Sequence, residues 1–300
     1  MKMVIDQLKF NPDTKMFPIV GYPMGQSSAS FSWNPVFRAN NVNEVMWPVE
    51  IEPGKLDRFL AAMKTLGVRH FCLTMPHKSA IIPLLDDVDE ESRIFNCVNT
   101  VKIDPDGTTH GIGMDGRGNL AAIRAAGVDV RGMHVFNLGA GSIVGAILLQ
   151  LARAGARKAT IANRTPERAE KLLRTVREHV DMEVEFVPFD PDSLDRVAAE
   201  CDFLMQSLPL GMFGYDGDFD YLGFVDKLKP EAVVMENIVN PRETLFVKKA
   251  LSRGLKVIYG IDMMLDQMGL IFEFCFGYQP KPEHLAAARK NIFEYFGIAE

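Results

Sequence analysis

The sequence predicts an α/β protein of two domains, in which mainly parallel strands alternate with helices. Short β-type runs alternate along the chain with segments whose apolar residues recur at helical spacing. At residues 133–155, an apolar strand passes through a glycine-rich turn directly into a helix. The chain has 300 residues, of which 47% are hydrophobic, and this is enough to bury two modest cores.

The first part of the chain contains four predicted strands, at residues 16–21, 46–51, 69–74 and 96–101. Between the second and the third, apolar residues recur at helical spacing, namely Leu56, Phe59, Leu60, Met63 and Leu66. A helix that joins two strands in this way allows them to run parallel. The pattern therefore predicts a β-α-β unit in this part of the chain.

The later part of the chain repeats the alternation more regularly. Five strands are predicted, at residues 133–138, 158–163, 183–189, 201–207 and 232–238. Helices are predicted at residues 146–155, 164–176, 261–276 and 282–296, and residues 214–223 read as a loop. Such repeated units form an open twisted sheet.

Glycines concentrate at residues 111–118, between the two α/β blocks, and we place the domain junction there. The first domain is expected to span residues 1–115 and the second residues 116–261. The helices of residues 262–300 are expected to return to the first domain after Gly260. Glycines at both crossings would suit hinges.

Composition excludes several classes of protein. The net charge is −6 with both signs interspersed, which argues against a nucleic-acid partner. The longest uncharged apolar runs, such as Ile143–Leu151, are too short to span a membrane. Charges within the first apolar stretch are unlike a signal peptide, so we expect a cytoplasmic protein, either monomer or homodimer. The four widely separated cysteines predict reduced thiols and no metal site.

The glycine-rich turn predicts a dinucleotide site. Gly139 permits the tight turn, and Gly141 lets a pyrophosphate approach the backbone beside Ala140 and Ser142. The helix that follows presents free N–H groups and a partial positive charge to the phosphates. The usual third glycine is Val144 here, with Gly145 one place late. Such a turn also occurs in proteins without a ligand.

The end of the next strand indicates which dinucleotide binds. NAD-binding proteins commonly carry a carboxylate there for the ribose hydroxyls. This chain has Asn163, Arg164, Thr165 and Arg168 instead, a cluster that attracts a 2′-phosphate and can stack on adenine. We therefore predict NADP and a Rossmann-like second domain, the alternative being a solvated, charged start of a helix.

Two charged residues are candidates for the chemistry. Lys78 follows a strand and Pro76, and Asp115 lies at the predicted domain junction. A lysine beside a carboxylate in a shielded cleft can exchange the proton that accompanies hydride transfer at a C–OH/C=O carbon. Each residue taken alone could equally be an ordinary surface or helix-end charge.

Several segments together resemble the shikimate/quinate dehydrogenase family, from about residue 17 to residue 276. In order, they are residues 21–30 (GYPMGQSSAS), 72–78 (CLTMPHK), 98–100 (VNT), 113–118 (GMDGRG), the glycine turn with Asn163-Arg164-Thr165, 209–212 (PLGM), 240–241 (NP) and 260–267 (GIDMMLDQ). Each motif is weak alone, but their common order is specific.

The resemblance implies a role for each matching residue. Lys78 and Asp115 would be the catalytic pair, and Asn99 and Gln267 would bind ring hydroxyls. Ser27 would hold a carboxylate, with Thr74 near the lysine. The nicotinamide side would be lined by Ser207, Gly260 and Met263. Met263 could instead be simple core, and Thr74 a strand-end hydroxyl.

The departures from the family's pattern cluster around the substrate. Its second carboxylate-binding serine is Ala29 here, and the tyrosine before its Asn-Pro is Val239. An asparagine that meets a ring hydroxyl is Cys72, and the Asn-Thr before the aspartate is Gly113-Met114. Each lost hydrogen bond to a charged group costs about 1.5–3 kcal/mol of binding, unless Ser28 or Ser30 substitutes.

The leading hypothesis is an NADP-dependent oxidoreductase that interconverts a ring hydroxyl and a ketone on shikimate or a related cyclic hydroxy acid. The resemblance places such an activity in aromatic amino acid biosynthesis. The alternatives are a ligand-binding or sensing protein with little turnover, and a dehydrogenase of a different small polyol or acid.

Overall fold

The computed structural model describes residues 10–25 and 27–297, whose strands form two six-stranded sheets. Residues 1–9, which bear on the signal-peptide expectation, and residues 298–300 of the predicted C-terminal portion lie outside the described residues. The α/β class and two-sheet architecture predicted from the sequence are confirmed.

The first sheet has the strand order β2-β1-β3-β5-β6-β4. Its strands are β1 (Lys15–Gly21), β2 (Glu44–Glu50), β3 (His70–Leu73), β4 (Asp87–Val88), β5 (Thr100–Ile103) and β6 (Thr109–Ile112). Strand β1 runs parallel to β2 and β3, but β5 is antiparallel to both of its neighbours. The expectation of mainly parallel pairing is therefore wrong at the centre of this sheet. The turn at residues 104–107 is too short for a parallel crossover.

The helices of the first sheet are α1 (Ala29–Ala39), α2 (Leu56–Thr65) and α3 (Glu90–Phe95). The strand predicted at 96–101 begins only at Thr100, because the chain first leaves α3 through Asn96, at φ +53°. The N–H groups of Cys97 and Val98 then bind the carbonyls of Ser92 and Lys78 rather than a neighbouring strand.

The second sheet is parallel throughout, with the strand order β12-β11-β10-β7-β8-β9. Its strands are β7 (His134–Leu138), β8 (Lys158–Asn163), β9 (Glu183–Pro188), β10 (Phe203–Gln206), β11 (Val233–Glu236) and β12 (Lys256–Ile258). Its helices are α5 (Val144–Arg153), α6 (Pro166–His179), α7 (Pro191–Glu200) and α8 (Leu245–Ser252). The strand order reverses between β7 and β10, and ligands bind at such a reversal in open α/β sheets.

Two helices connect the sheets. Helix α4 (Asp115–Ala125) leads from β6 to β7, and α9 (Gly260–Phe276) follows β12 and precedes α10 (Pro282–Phe296). Helices α1, α9 and α10 share one apolar cluster with β1, so the C-terminal helices pack on the first sheet. Among the described helices, none is both long and apolar enough to cross a membrane.

The glycines of residues 111–118 lie in β6, its following turn and α4 rather than in a linker loop. They serve close packing. A Cβ on Gly118 would lie 2.7 Å from Cβ of Gln267 in α9, and one on Gly116 would lie 2.4 Å from the carbonyl oxygen of Ala146 in α5. The absence of side chains therefore lets α4 approach both neighbouring helices.

Gly116→Ala is expected to lower the free energy of unfolding by about 1–3 kcal/mol, because the new methyl group meets backbone that cannot move aside. Thermal denaturation followed by circular dichroism measures the change. The matched control is Gly269→Ala in α9, where the nearest atom to the new Cβ is 3.7 Å away. The control is expected to be neutral or stabilising, and an equal effect of both substitutions would contradict the packing argument.

Candidate active site

A partly buried ion pair joins the segment after β3 to the start of α4. Nζ of Lys78, which follows β3, donates to Oδ2 of Asp115, the first residue of α4, over 2.8 Å. The two side chains are 16% and 11% exposed. Lys78 and Asp115 are therefore held together, and a small part of each side chain remains exposed to solvent.

Two amide side chains complete the surroundings of this pair. Nε2 of Gln267 in α9 donates to Oδ1 of Asp115 over 3.0 Å. Oδ1 of Asn99 accepts from the backbone N–H of Met114 over 3.0 Å, which fixes the amide beside the carboxylate. The structure thus brings together Lys78, Asn99, Asp115 and Gln267, and we call these four residues the polar quartet.

The surroundings in the quartet favour the ionised forms of both Lys78 and Asp115. Burial by itself raises the pKa of Asp115, but the charge of Lys78 and hydrogen bonds from Lys78, Gln267 and Asn99 outweigh it and lower this pKa. Burial likewise lowers the pKa of Lys78, and the opposing charge of Asp115 leaves it above the ordinary value of 10.5. The pair is therefore ionic at neutral pH.

Cys97 is a neighbour of the pair that the sequence did not indicate. Its thiol donates to Oδ2 of Asp115 over 3.7 Å. Burial, reinforced by the charge of Asp115, raises the pKa of this thiol to about 12, so it remains a neutral donor. The contact depends on the turn between α3 and β5, for which the sequence pattern gave no signal.

Thr74 directly follows β3, and Ser27 lies between β1 and α1, where β1 and β3 are adjacent parallel strands. The hydroxyl of Ser27 accepts from the N–H of Ala29 over 3.4 Å, just before α1. A Cβ on Gly21 would lie only 2.5 Å from Cγ2 of Thr74. Within residues 10–25 and 27–297, no hydrogen bond joins either side chain to the polar quartet.

The glycine-rich turn lies at the strand-order reversal, between β7 and α5. Gly139 has φ +105°, a conformation that side chains rarely adopt. Ala140, Gly141 and Ser142 continue the turn, and the first turn of α5 contains no acidic residue. This helix start can therefore accept a phosphate.

The late glycine of this turn has a packing role. A Cβ on Gly145 would lie 2.2 Å from the ring of Phe95, the last residue of α3. Helix α3 belongs to the other sheet, so Gly145 accommodates a contact between the two halves of the molecule. The contact explains why position 145 is a glycine.

The residues after β8 form an open basic surface. Nδ2 of Asn163 donates to the carbonyl of Thr165 over 2.9 Å, which shapes the turn before α6. Arg164 and Arg168 are exposed, and neither pairs with a carboxylate in the described part of the chain. Two unpaired arginines, and an asparagine rather than a carboxylate at the end of β8, fit a dinucleotide that carries an additional phosphate, although the exposed Glu167 lies between the arginines.

A chain of polar side chains follows the carboxyl ends of β7, β10 and β11. The hydroxyl of Ser207 donates to Oδ1 of Asn137 over 2.9 Å, and Nδ2 of Asn237 donates to that hydroxyl over 3.2 Å. Oδ1 of Asn237 is buried without a hydrogen-bond partner. Neither Asn137 nor Asn237 was identified from the sequence, since an isolated asparagine at a strand end carries no specific signal.

Gly260 and Met263 lie in the first turn of α9, which begins beside the end of β11. A Cβ on Gly260 would lie 2.2 Å from the carbonyl oxygen of Ile238, just beyond β11. Met263 is buried in the apolar cluster of the second sheet. Among the described residues, no group of three or more His, Cys, Asp or Glu side chains is arranged to hold a metal ion.

Comparison with known proteins identifies the family. Residues 19–101 match the family described as "Shikimate dehydrogenase substrate binding domain", and residues 120–209 match "Shikimate / quinate 5-dehydrogenase". The shikimate dehydrogenase (NADP(+)) of Alkaliphilus oremlandii is 32% identical over 262 residues, which cover 87% of this chain and 91% of that protein. The chain belongs to the shikimate dehydrogenase family.

Solved structures of the shikimate dehydrogenase family agree with the fold. A shikimate dehydrogenase from Aquifex aeolicus superposes with a TM-score of 0.83 at 27% identity, covering 95% of this chain and 99% of that one. A quinate dehydrogenase from Corynebacterium glutamicum, in complex with NAD, superposes with a TM-score of 0.82 at 25% identity, covering 94% and 99%. The family resemblance found in the sequence is therefore confirmed.

Four of the five positions at which this chain departs from the shikimate dehydrogenase pattern, all except Gly113, share one environment. Ala29, Cys72 and Met114 are buried in the apolar cluster of α1, α9 and α10, and Val239 packs against it. The family pattern has hydrogen-bonding side chains at these positions. This chain therefore has an apolar wall at these positions, and the hydrogen bond from the N–H of Met114 to Asn99 connects the wall to the polar quartet.

Proposed function

We propose that the protein is an NADP-dependent oxidoreductase that interconverts a ring hydroxyl and a ketone on shikimate or a related cyclic hydroxy acid. The observation that carries the proposal is the partly buried pair of Lys78 and Asp115, 2.8 Å apart, completed by Asn99 and Gln267. A pair of this kind suits proton exchange at an alcohol carbon. The relatives named NADP-dependent shikimate dehydrogenases support it.

Lys78 is the proton-exchanging group in this proposal. NADP, when bound, supplies the hydride acceptor for alcohol oxidation. Neutral Lys78 takes the proton from the substrate hydroxyl, and in the reverse direction its ammonium returns a proton to the ketone oxygen. Asp115 stabilises the ammonium and fixes its position. Asn99 and Gln267 bind ring hydroxyls, Ser27 binds a carboxylate, and Thr74 contacts the substrate near Lys78.

The second half of the molecule holds the cofactor in this proposal. The phosphates lie against Gly139, Ala140, Gly141 and Ser142, while Asn163, Arg164, Thr165 and Arg168 surround the 2′-phosphate and adenine. The nicotinamide lies on the side of Ser207, Gly260 and Met263. We accordingly place a substrate domain at residues 1–115 with 262–300 and an NADP-binding domain at 116–261. We propose a cytoplasmic monomer or homodimer that acts on a small molecule.

The proposal is tested by following NADPH absorbance with shikimate, quinate and their ketones. NADP-dependent turnover of at least one of them is expected. NADP binding without turnover of any would favour a second candidate, a ligand-binding protein with little activity. The apolar wall at Ala29 and Val239 is the observation that favours this candidate.

The raised pKa of Lys78 sets the expected pH dependence. Lys78 stays protonated until the pH exceeds its ordinary pKa of 10.5, so ketone reduction stays level and then falls, while alcohol oxidation rises with pH. Asp115→Asn removes the charge that raises this pKa and leaves burial, which lowers it. Rate profiles against pH are expected to shift to lower pH in the variant. Profiles that keep their position would contradict the coupling.

A further inference from the structure

The proposed substrate pocket lacks the second hydroxyl group that would bind the carboxylate of the substrate. Ser27 supplies one hydroxyl, but Ala29 and Val239 supply none, and both belong to or pack against the same apolar cluster. A carboxylate that loses its water needs charged or hydrogen-bonding partners, since an uncompensated buried charge is very unfavourable. A charged group at the border of this cluster is therefore a candidate partner for the carboxylate, beside the hydroxyls of Ser28 and Ser30.

Arg242 borders this cluster. It lies three residues after Val239, and Cζ of its guanidinium is 4.5 Å from the ring centroid of Tyr259 and 5.3 Å from that of Phe293. Phe293 belongs to the cluster that contains Ala29, and Tyr259 packs against it. Stacking against two aromatic rings restricts the guanidinium before any ligand binds.

Arg242 has no hydrogen-bond acceptor among residues 10–25 and 27–297. Among the described residues, no carboxylate lies within 4.0 Å of its nitrogens, and Nε is shielded from solvent without an acceptor. Arg289 provides the contrast, because it lies over the same Phe293 ring but is paired with Asp262. A guanidinium without an acceptor in its surroundings favours a ligand that carries one.

We propose that Arg242 binds the carboxylate of the cyclic hydroxy acid and replaces the hydroxyls absent at Ala29 and Val239. The inference rests on the proposed function and names the group that selects its substrate class. The planar fork of a guanidinium matches the two oxygens of a carboxylate. A charged bidentate donor compensates for two missing neutral ones.

The test compares an acid with its neutral derivative in Arg242→Met and in the matched control Arg289→Met. Methionine retains an apolar chain against the rings but has no charge. Shikimate, quinate and methyl shikimate are titrated into the NADP-loaded protein by calorimetry, with melting temperatures recorded for each variant. Arg242→Met is expected to weaken binding of the two acids by about 10- to 150-fold and to leave the ester unchanged. Arg289→Met is expected to bind all three as the unsubstituted protein does.

Four outcomes would overturn the inference. These are acid affinities that survive Arg242→Met, equal losses for acid and ester, an unsubstituted protein that binds the ester as tightly as the acid, and one that binds neither acid. Arg242→Lys, which keeps the charge but not the fork, is expected to lose less affinity than Arg242→Met. Because the readout is binding, failure of this inference is distinguishable from failure of the proposed function, which turnover of NADPH decides.

Discussion

Lys78→Met is expected to lower kcat by about 10²- to 10⁴-fold in both directions, because the substrate oxygen then loses the group that exchanges its proton. The affinity for NADP is expected to stay unchanged, since the proposed phosphate-binding residues lie on the other sheet. The measurement is NADPH absorbance under saturating substrate, combined with a fluorescence titration of the cofactor.

Two further observations make this result interpretable. Removal of the ammonium leaves burial opposed only by the hydrogen bonds from Gln267 and Asn99, so the pKa of Asp115 rises relative to the unsubstituted protein. The melting temperature reports the cost of the unpaired carboxyl group. The control Lys64→Met alters an exposed lysine of α2, and no loss of activity is expected. Retention of most activity in Lys78→Met, with a folded protein, would exclude Lys78 as the proton-exchanging group.

Arg164→Gln is expected to lower kcat/KM for NADP by about 10- to 150-fold and to leave kcat/KM for NAD nearly unchanged. The physical reason is the loss of one charge-assisted hydrogen bond to the 2′-phosphate, about 1.5–3 kcal/mol, which NAD does not make. Initial rates with both cofactors at fixed substrate concentration measure the ratio.

Arg174→Gln is the matched control, because Arg174 is an exposed arginine of α6, the helix that begins two residues after Arg164. Its cofactor preference is expected to equal that of the unsubstituted protein. A parallel loss for NADP and NAD in Arg164→Gln would assign Arg164 to adenine stacking rather than to the 2′-phosphate. Equal behaviour of the two variants would place the phosphate elsewhere.

Local patterns carried most of the fold prediction. The strand, glycine turn and helix at 133–155 and the strand ending at Asn163 were predicted almost residue by residue, because each depends on neighbours in the chain. The strand at 96–101 was misplaced. Its buried, apolar residues satisfy a strand pattern, but their backbone binds Ser92 and Lys78 instead.

The candidate site was identified in part. Motif order indicated Lys78, Asp115 and Gln267, but only packing of α4 on α9 brings the amide to the carboxylate over 3.0 Å. Cys97 and Arg242 belong to no motif. Cys97 matters because its thiol lies 3.7 Å from Oδ2 of Asp115. Arg242 matters because its guanidinium lies over the rings of Tyr259 and Phe293. Contacts between distant segments leave no periodic signal in the sequence.

The sequence by itself determined the family, the α/β class and the basic residues that predict NADP, since these rest on short motifs and their order. The tertiary structure decided the antiparallel centre of the first sheet, the contact of Gly145 with Phe95 and the apolar wall at Ala29 and Val239. Each of these depends on which surfaces meet when the two halves pack. That choice is made by shape and burial across the whole chain, and no local window of the sequence contains it.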